Sequence, residues 1–230
     1  RDDVESRGLG DVYKRQSLGH VIAGYLSANG KATVSILTNH PTAWQNKIEI
    51  CVPDNGEMLI GNIACVSANP AEALLDAEIV LLCLPGFLIK DELIKIRDFI
   101  NSGTYVGSVF SSTGFFFEAL KLLNEDIPLW GFQRVPFISR IKEYGHSANL
   151  LGYKGCYHIA VERDTDANKE LFRYWVENSF DRPVTLLKNY LEASLTNSNP
   201  LLHTARLYSM FHDWQPGISY PRNILFYEEW

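Results

Sequence analysis

The sequence predicts an α/β fold: a doubly wound, mostly parallel sheet followed by the start of an all-helical second domain. Three observations carry this. From Ser17 to Phe180 helix-like and strand-like segments alternate, the pattern of βαβ units whose helices cover both faces of a sheet. Ile79-Val80-Leu81-Leu82-Cys83-Leu84 is a continuous apolar run, as expected of a strand buried on both faces. Beyond Pro183 strand signals mostly stop, and aromatic residues crowd the stretch from Tyr190 to Trp230.

Taken in order, Arg1 to Gln16 carries four basic and four acidic residues and follows neither period. It is expected to be a foreign or disordered segment, outside the fold. Leu18, Val21, Ile22, Tyr25 and Leu26 then fall at helical spacing, with Gly30 as the stop. Ala32 to Leu37 reads as a strand. Ile48 to Val52 and Met58 to Val66 read as two more around the turn Pro53-Asp54-Asn55-Gly56. Asn69-Pro70 supplies the cap and first turn of a brief helix. An amphipathic helix is expected over Asp91 to Asn101, a strand over Tyr105 to Phe110, a helix over Phe115 to Leu123 and a strand over Leu129 to Gln133. Ala148 to Leu151 and Tyr157 to Val161 are expected to form a hairpin, and Asp166 to Phe180 a helix. The expected division is residues 1–16, a dinucleotide-binding domain over 17–186, and the beginning of a helical domain over 187–230.

Composition narrows the function. The 230 residues carry a formal net charge of −6 and a pI near 5.5, against the basic footprint of a nucleic-acid partner. No apolar run approaches the ~20 residues that span a bilayer. The four cysteines, Cys51, Cys65, Cys83 and Cys156, show no metal-ligand spacing, so no metal is expected and a reducing, cytoplasmic setting is.

Several motifs bear on chemistry. Ser17-Leu18-Gly19-His20 opens a helix and a β-branched strand follows, the context of a dinucleotide-binding turn. Only the last glycine of G-x-G-x-x-G is present, as Gly19; the earlier two would fall on Lys14 and Gln16. Tight helix–strand packing explains a single glycine equally well. At the end of the next strand, Thr38-Asn39-His40 holds no carboxylate to accept the ribose hydroxyls of NAD. NADP is therefore expected at least as readily as NAD, with Lys47 nearby in sequence. Pro85-Gly86 and Thr113-Gly114 follow successive strands, where doubly wound sheets bind ligands. Arg134 and Arg140 could hold a carboxylate bidentately, or make surface ion pairs. Asn199, His203 and Arg206 stand at i, i+4 and i+7 and share a helical face. Asn199 could equally cap a helix that starts at Pro200, leaving His203 as a packed core histidine.

Together the Ser-Leu-Gly-His opening, Leu84-Pro85-Gly86-Phe87, Arg134-Val-Pro-Phe-Ile-Ser-Arg140 with Tyr144-Gly145, and Asn197-Ser-Asn-Pro-Leu-Leu-His203 resemble the opine dehydrogenases of the octopine and nopaline type. The resemblance runs from about Ser17 to Trp230. It implies a Rossmann domain followed by a helical domain, and reductive condensation of an amino acid with a 2-oxo acid using NADH or NADPH. It makes His203 the catalytic acid–base group and Asn199 the asparagine one helical turn before it. Beside them, Asn199, Arg134, Arg140 and Arg206 are read as substrate ligands. Ser17, Leu18, Gly19, Thr38, Asn39, His40, Pro85, Gly86, Thr113 and Gly114 become the cofactor contacts. The family pairs its histidine with a later aspartate that has no counterpart here, which implies negligible turnover by the chain as it stands. Its partners would be those two small molecules, with a homodimer left open. His146, near the arginine segment, is the rival histidine. Alternatives are a reductase of the ketopantoate reductase type, which would use a lysine not found in this motif, a non-catalytic dinucleotide-binding module, and a purely structural fragment.

Overall fold

A computed structural model describes residues 10–53 and 55–217. They divide into one compact unit up to Thr196 and a second from Asn197.

The first unit opens with α1 (Gly10–Ala28), followed by β1 (Val34–Leu37), β2 (Lys47–Val52) and β3 (Glu57–Ser67). A single helical turn α2 (Pro70–Ala73) leads to β4 (Ile79–Leu82) and α3 (Gly86–Ile96). Then come β5 (Tyr105–Ser108), α4 (Phe115–Leu122), β6 (Leu129–Phe132), β7 (Phe137–Glu143), β8 (Ser147–Tyr153) and β9 (Tyr157–Glu162). The unit closes with α5 (Asp166–Phe180), β10 (Val184–Leu186) and α6 (Tyr190–Leu195). Side chains cap helix starts, the first at the expected Asn69. Asn69 accepts a hydrogen bond from the Ala71 N–H and caps α2, while Thr165 accepts one from the Asn168 N–H at the start of α5.

The strands form two five-stranded sheets, in the orders β1-β3-β2-β8-β7 and β10-β9-β6-β5-β4. Five pairings are parallel and three antiparallel among the described strands. This is a mixed, mostly parallel α/β fold of the Rossmann kind. In the second sheet α5 covers one face, where Phe172 and Val176 pack with Trp130 and Val161. Helices α3 and α4 cover the other, where Ile89, Leu93 and Phe116 pack with Val106 and Leu129. Each fully buried residue of this kind contributes roughly 1.5–3 kcal/mol. On the first sheet α1 seats itself through glycines: a Cβ on Gly61 would lie 2.7 Å from the Gly24 carbonyl oxygen, so bulk there would lift the helix away.

Four expectations are corrected. Helix α1 starts at Gly10 rather than Ser17, because helical backbone continues through residues whose side chains lack an apolar period. Helix α3 starts at Gly86, five residues before Asp91, with Pro85 as its cap. Strands β8 and β9 do not form a hairpin: β8 pairs with β7 and β2, and β9 with β6 and β10. Finally β4, expected at the centre of a sheet, is an end strand, and only Leu82 within it is buried. Strand β1 likewise ends the other sheet. The two strands border one space all the same. Val34 and Ile36 share a core with Ile79 and Leu81, and Leu37 shares the opposite core with Val80.

Candidate cofactor and substrate site

At the carboxyl ends of β4 and β5 the chain brings two loops into contact. Pro85 is extended (φ −63°, ψ 151°) and delivers Gly86 as the first residue of α3. A Cβ on Gly86 would lie 2.7 Å from the Thr113 carbonyl oxygen, so the two backbones touch with no side chain between them. Gly114 ends the Ser111–Thr113 turn in the left-handed region, at φ +84°, which glycine adopts at no steric cost. Three hydroxyls pin this turn. Fully buried Ser111 donates to the Phe132 carbonyl at 2.8 Å, Thr113 to the Phe110 carbonyl at 2.9 Å, and Ser112 to the Ser194 carbonyl of α6 at 3.0 Å. Burial pushes the Cys83 thiol up to about 12, so it stays neutral, a packing group beside Gly19 rather than a nucleophile.

Thr38, Asn39 and His40 lie just past β1, where the Thr38 hydroxyl accepts from the His40 N–H at 3.3 Å. The cation that reaches this turn is Lys95 of α3, whose ammonium donates to Asn39 Oδ1 at 3.4 Å and pairs with Glu92 at 3.3 Å. Lys47 instead opens β2 opposite Asn62. Past β6, Gln133 donates to the Thr196 hydroxyl at 2.6 Å, and Arg134 is exposed beside it.

Other expected residues stand elsewhere. Ser17, Leu18 and Gly19 lie about two turns inside α1, so their N–H groups face carbonyls four residues back instead of opening toward a pyrophosphate. The Ser17 hydroxyl accepts from the Ile141 N–H at 3.0 Å. Arg140 is on β7 of the other sheet, exposed in mid-strand, and donates to its own neighbour's Ser139 carbonyl. Alternation along β7 turns it to the face away from α1, so it does not join Arg134. His20 is buried, accepts from the Gly145 N–H at 2.8 Å and stacks on Trp44, which makes it a structural tie. His146 sits between Glu143 at 3.1 Å and Glu49 at 3.9 Å.

The second unit contains α7 (Ser198–Phe211). Asn199, His203 and Arg206 all belong to it, with His203 exposed. Because α7 begins at Ser198, Asn199 falls within its first turn rather than at the cap. Residues 218–230 lie outside the described residues. Sequence reasoning missed Lys95 and the partners that anchor Ser111 and Ser112. Lys95 spaced three residues from Glu92 reads as an ordinary helix ion pair, and serines in a turn carry no partner information.

Among the described residues, no group of His, Cys, Asp and Glu could hold a metal ion, and no helix is long and apolar enough to cross a membrane.

No protein-family model matches the chain. An uncharacterized protein of Sinorhizobium fredii, y4xO, is 27% identical over 213 residues, 86% of this chain and 55% of that protein. Tauropine dehydrogenase of Arabella iricolor is 27% identical over 155 residues, 65% of this chain and 39% of the enzyme. A solved octopine dehydrogenase with NADH and L-arginine aligns at a TM-score of 0.75 and 19% identity, covering 90% of this chain and 54% of its own. The chain thus spans about half the length of the relatives it matches.

Proposed function

We propose that the chain is part of an opine dehydrogenase, as its likeness to tauropine, opine and octopine dehydrogenases supports, and that the whole protein reductively joins an amino acid to a 2-oxo acid with NADH or NADPH. The observation that carries this is the Gly86–Thr113 contact beside Gly114, a backbone-lined cradle at the carboxyl ends of the strands. Loops kept clear of side chains fit a dinucleotide. The helical backbone of residues 14–19 does not form its pyrophosphate turn. Bound reduced nicotinamide would supply a hydride. This chain's own residues would do the rest. Pro85, Gly86, Thr113 and Gly114 hold and orient the ring. Thr38, Asn39 and His40 face the ribose, and Arg134 takes a substrate carboxylate through its planar donors. His203 is the acid–base group, since imidazole is the side chain suited to exchanging a proton with a reacting nitrogen. Asn199, one turn earlier, holds substrate with Arg206.

A homodimer stays part of the proposal, readable by sedimentation velocity. So does the reducing, cytoplasmic setting that the spacing of the four cysteines suggests. The test is NADPH oxidation by the whole protein, followed by absorbance while amino acid and 2-oxo acid are supplied singly and together. Oxidation that requires both supports the reading. Oxidation with the oxo acid alone points to a ketone reductase, and cofactor binding without turnover on any pair points to a binding module; either result overturns it.

A further inference from the structure

We infer that Lys95, through its position at the Thr38–His40 turn, is a specificity-determining residue that selects a cofactor bearing a 2′-phosphate. The inference rests on the dinucleotide-binding reading above and adds to it a residue on a different element from the ribose turn. Asn39 lies two residues past the carboxyl end of β1, where a dinucleotide fold places an acidic ribose ligand or a cation for the 2′-phosphate. No carboxylate occupies Thr38, Asn39 or His40. The position is met from the side by Lys95, whose ammonium lies 3.4 Å from Asn39 Oδ1. The same helix joins both halves of the site, since α3 starts at Gly86 in the loop cradle and carries Lys95 in its last turn. At 1.5 Å per residue the nine-residue separation sets the two about 13–14 Å apart along the axis.

Charge bears on the strength of this selection. Lys95 is one-third exposed and shares its ammonium with the Glu92 carboxylate at 3.3 Å. A phosphate at Asn39 would draw the ammonium off Glu92 and would feel that carboxylate as a repulsion. Lys95 therefore acts as a part-screened cation, worth a modest factor at physiological salt. Removing the Glu92 charge should strengthen phosphate binding. A purely structural Lys95–Glu92 helix pair predicts no such gain.

The test uses the purified chain and two small probes, adenosine 2′,5′-bisphosphate and adenosine 5′-monophosphate, with affinities measured by calorimetry at low salt. The wild type should prefer the bisphosphate by about two- to fivefold, the scale of one part-exposed ion pair. Lys95→Ala should erase that preference without changing affinity for the monophosphate. Lys95→Arg should keep it, and Glu92→Gln should increase it. A preference unchanged in Lys95→Ala, or a wild type that favours the monophosphate, overturns the inference and leaves the dinucleotide reading standing. If neither probe binds, the dinucleotide reading falls and this inference with it. Circular dichroism of each variant separates loss of the helix from loss of the charge.

Discussion

Replacing Gly86 by alanine tests the cradle where it is tightest. The added methyl would sit 2.7 Å from the Thr113 carbonyl oxygen and 3.4 Å from the Thr113 Cα. The first distance is well inside van der Waals contact, and the obstacle is backbone, which cannot swing aside like a long side chain. Ordinary contact begins near 3.4 Å, so the loops must part by about 0.7 Å. Forced repacking of this kind costs about 1–3 kcal/mol. An opposing gain of ~0.4–1 kcal/mol comes from replacing glycine at a helical position. The clash wins, and the net loss is about 0.5–2 kcal/mol. Urea unfolding followed by tryptophan fluorescence, to which buried Trp130 contributes, should show the midpoint lowered by roughly 0.25–1 M. The Ser111 and Ser112 anchors hold the far side of the cradle, so the gap should open at the cofactor loops and weaken dinucleotide binding too. Gly155→Ala is the control, since nothing lies within 4 Å of its added methyl. A Gly86→Ala midpoint equal to or above wild type would refute the reasoning.

Three further outcomes are expected. At Asp181, burial pushes the carboxyl up, but hydrogen bonds from Lys31 and Tyr25, with the charges of Lys31 and Arg182, outweigh it and hold it below the usual range. The residue has φ +51°, a conformation asparagine tolerates, so Asp181→Asn isolates the charge. Because the native pKa is depressed, the wild-type advantage should be full above about pH 4 and vanish as pH falls through the native value, and half exposure limits it to under ~1 kcal/mol. A gap of constant size down to pH 2 in acid melts would contradict this. Ser111→Ala removes a buried hydrogen bond and should cost about 1 kcal/mol, or a 2–4 °C lower Tm by calorimetry. In the whole protein His203→Ala should lower kcat by ~10²–10⁴ with cofactor affinity unchanged; a near-normal rate would pass the role to His146 or remove histidine from the mechanism.

What the sequence made legible was local. Asn69 caps the helix it precedes, and Asp166–Phe180 is the helix its apolar spacing predicts. The two strands around Pro53–Gly56 pair as an antiparallel hairpin. The loops after β4 and β5 were readable as ligand loops because Pro and Gly end strands in a recognisable way. Pairing across long separations was not legible. Strand β2 lies parallel to β8 about a hundred residues later, and no periodicity encodes a partner. Nor does periodicity say where an apolar strand stands in its sheet, which is why Ile79–Leu84 read as central. The Lys95–Asn39 contact was hidden for the same reason: each residue alone belongs to an ordinary polar surface, and only the tertiary fold joins them.

The open borders of β1 and β4 have a consequence for handling the chain. Among the described residues each presents backbone donors and acceptors with no strand beside them. Their sequences, Val-Ser-Ile-Leu and Ile-Val-Leu-Leu, carry neither charge nor proline, the usual protection of an exposed edge. Such a border is a template for extended apolar chain from any source, including the same segments of another molecule. Self-association should therefore rise steeply with concentration and carry cross-β character. A lysine at Ser35, whose side chain is exposed, should suppress it while leaving the rest of the sheet intact.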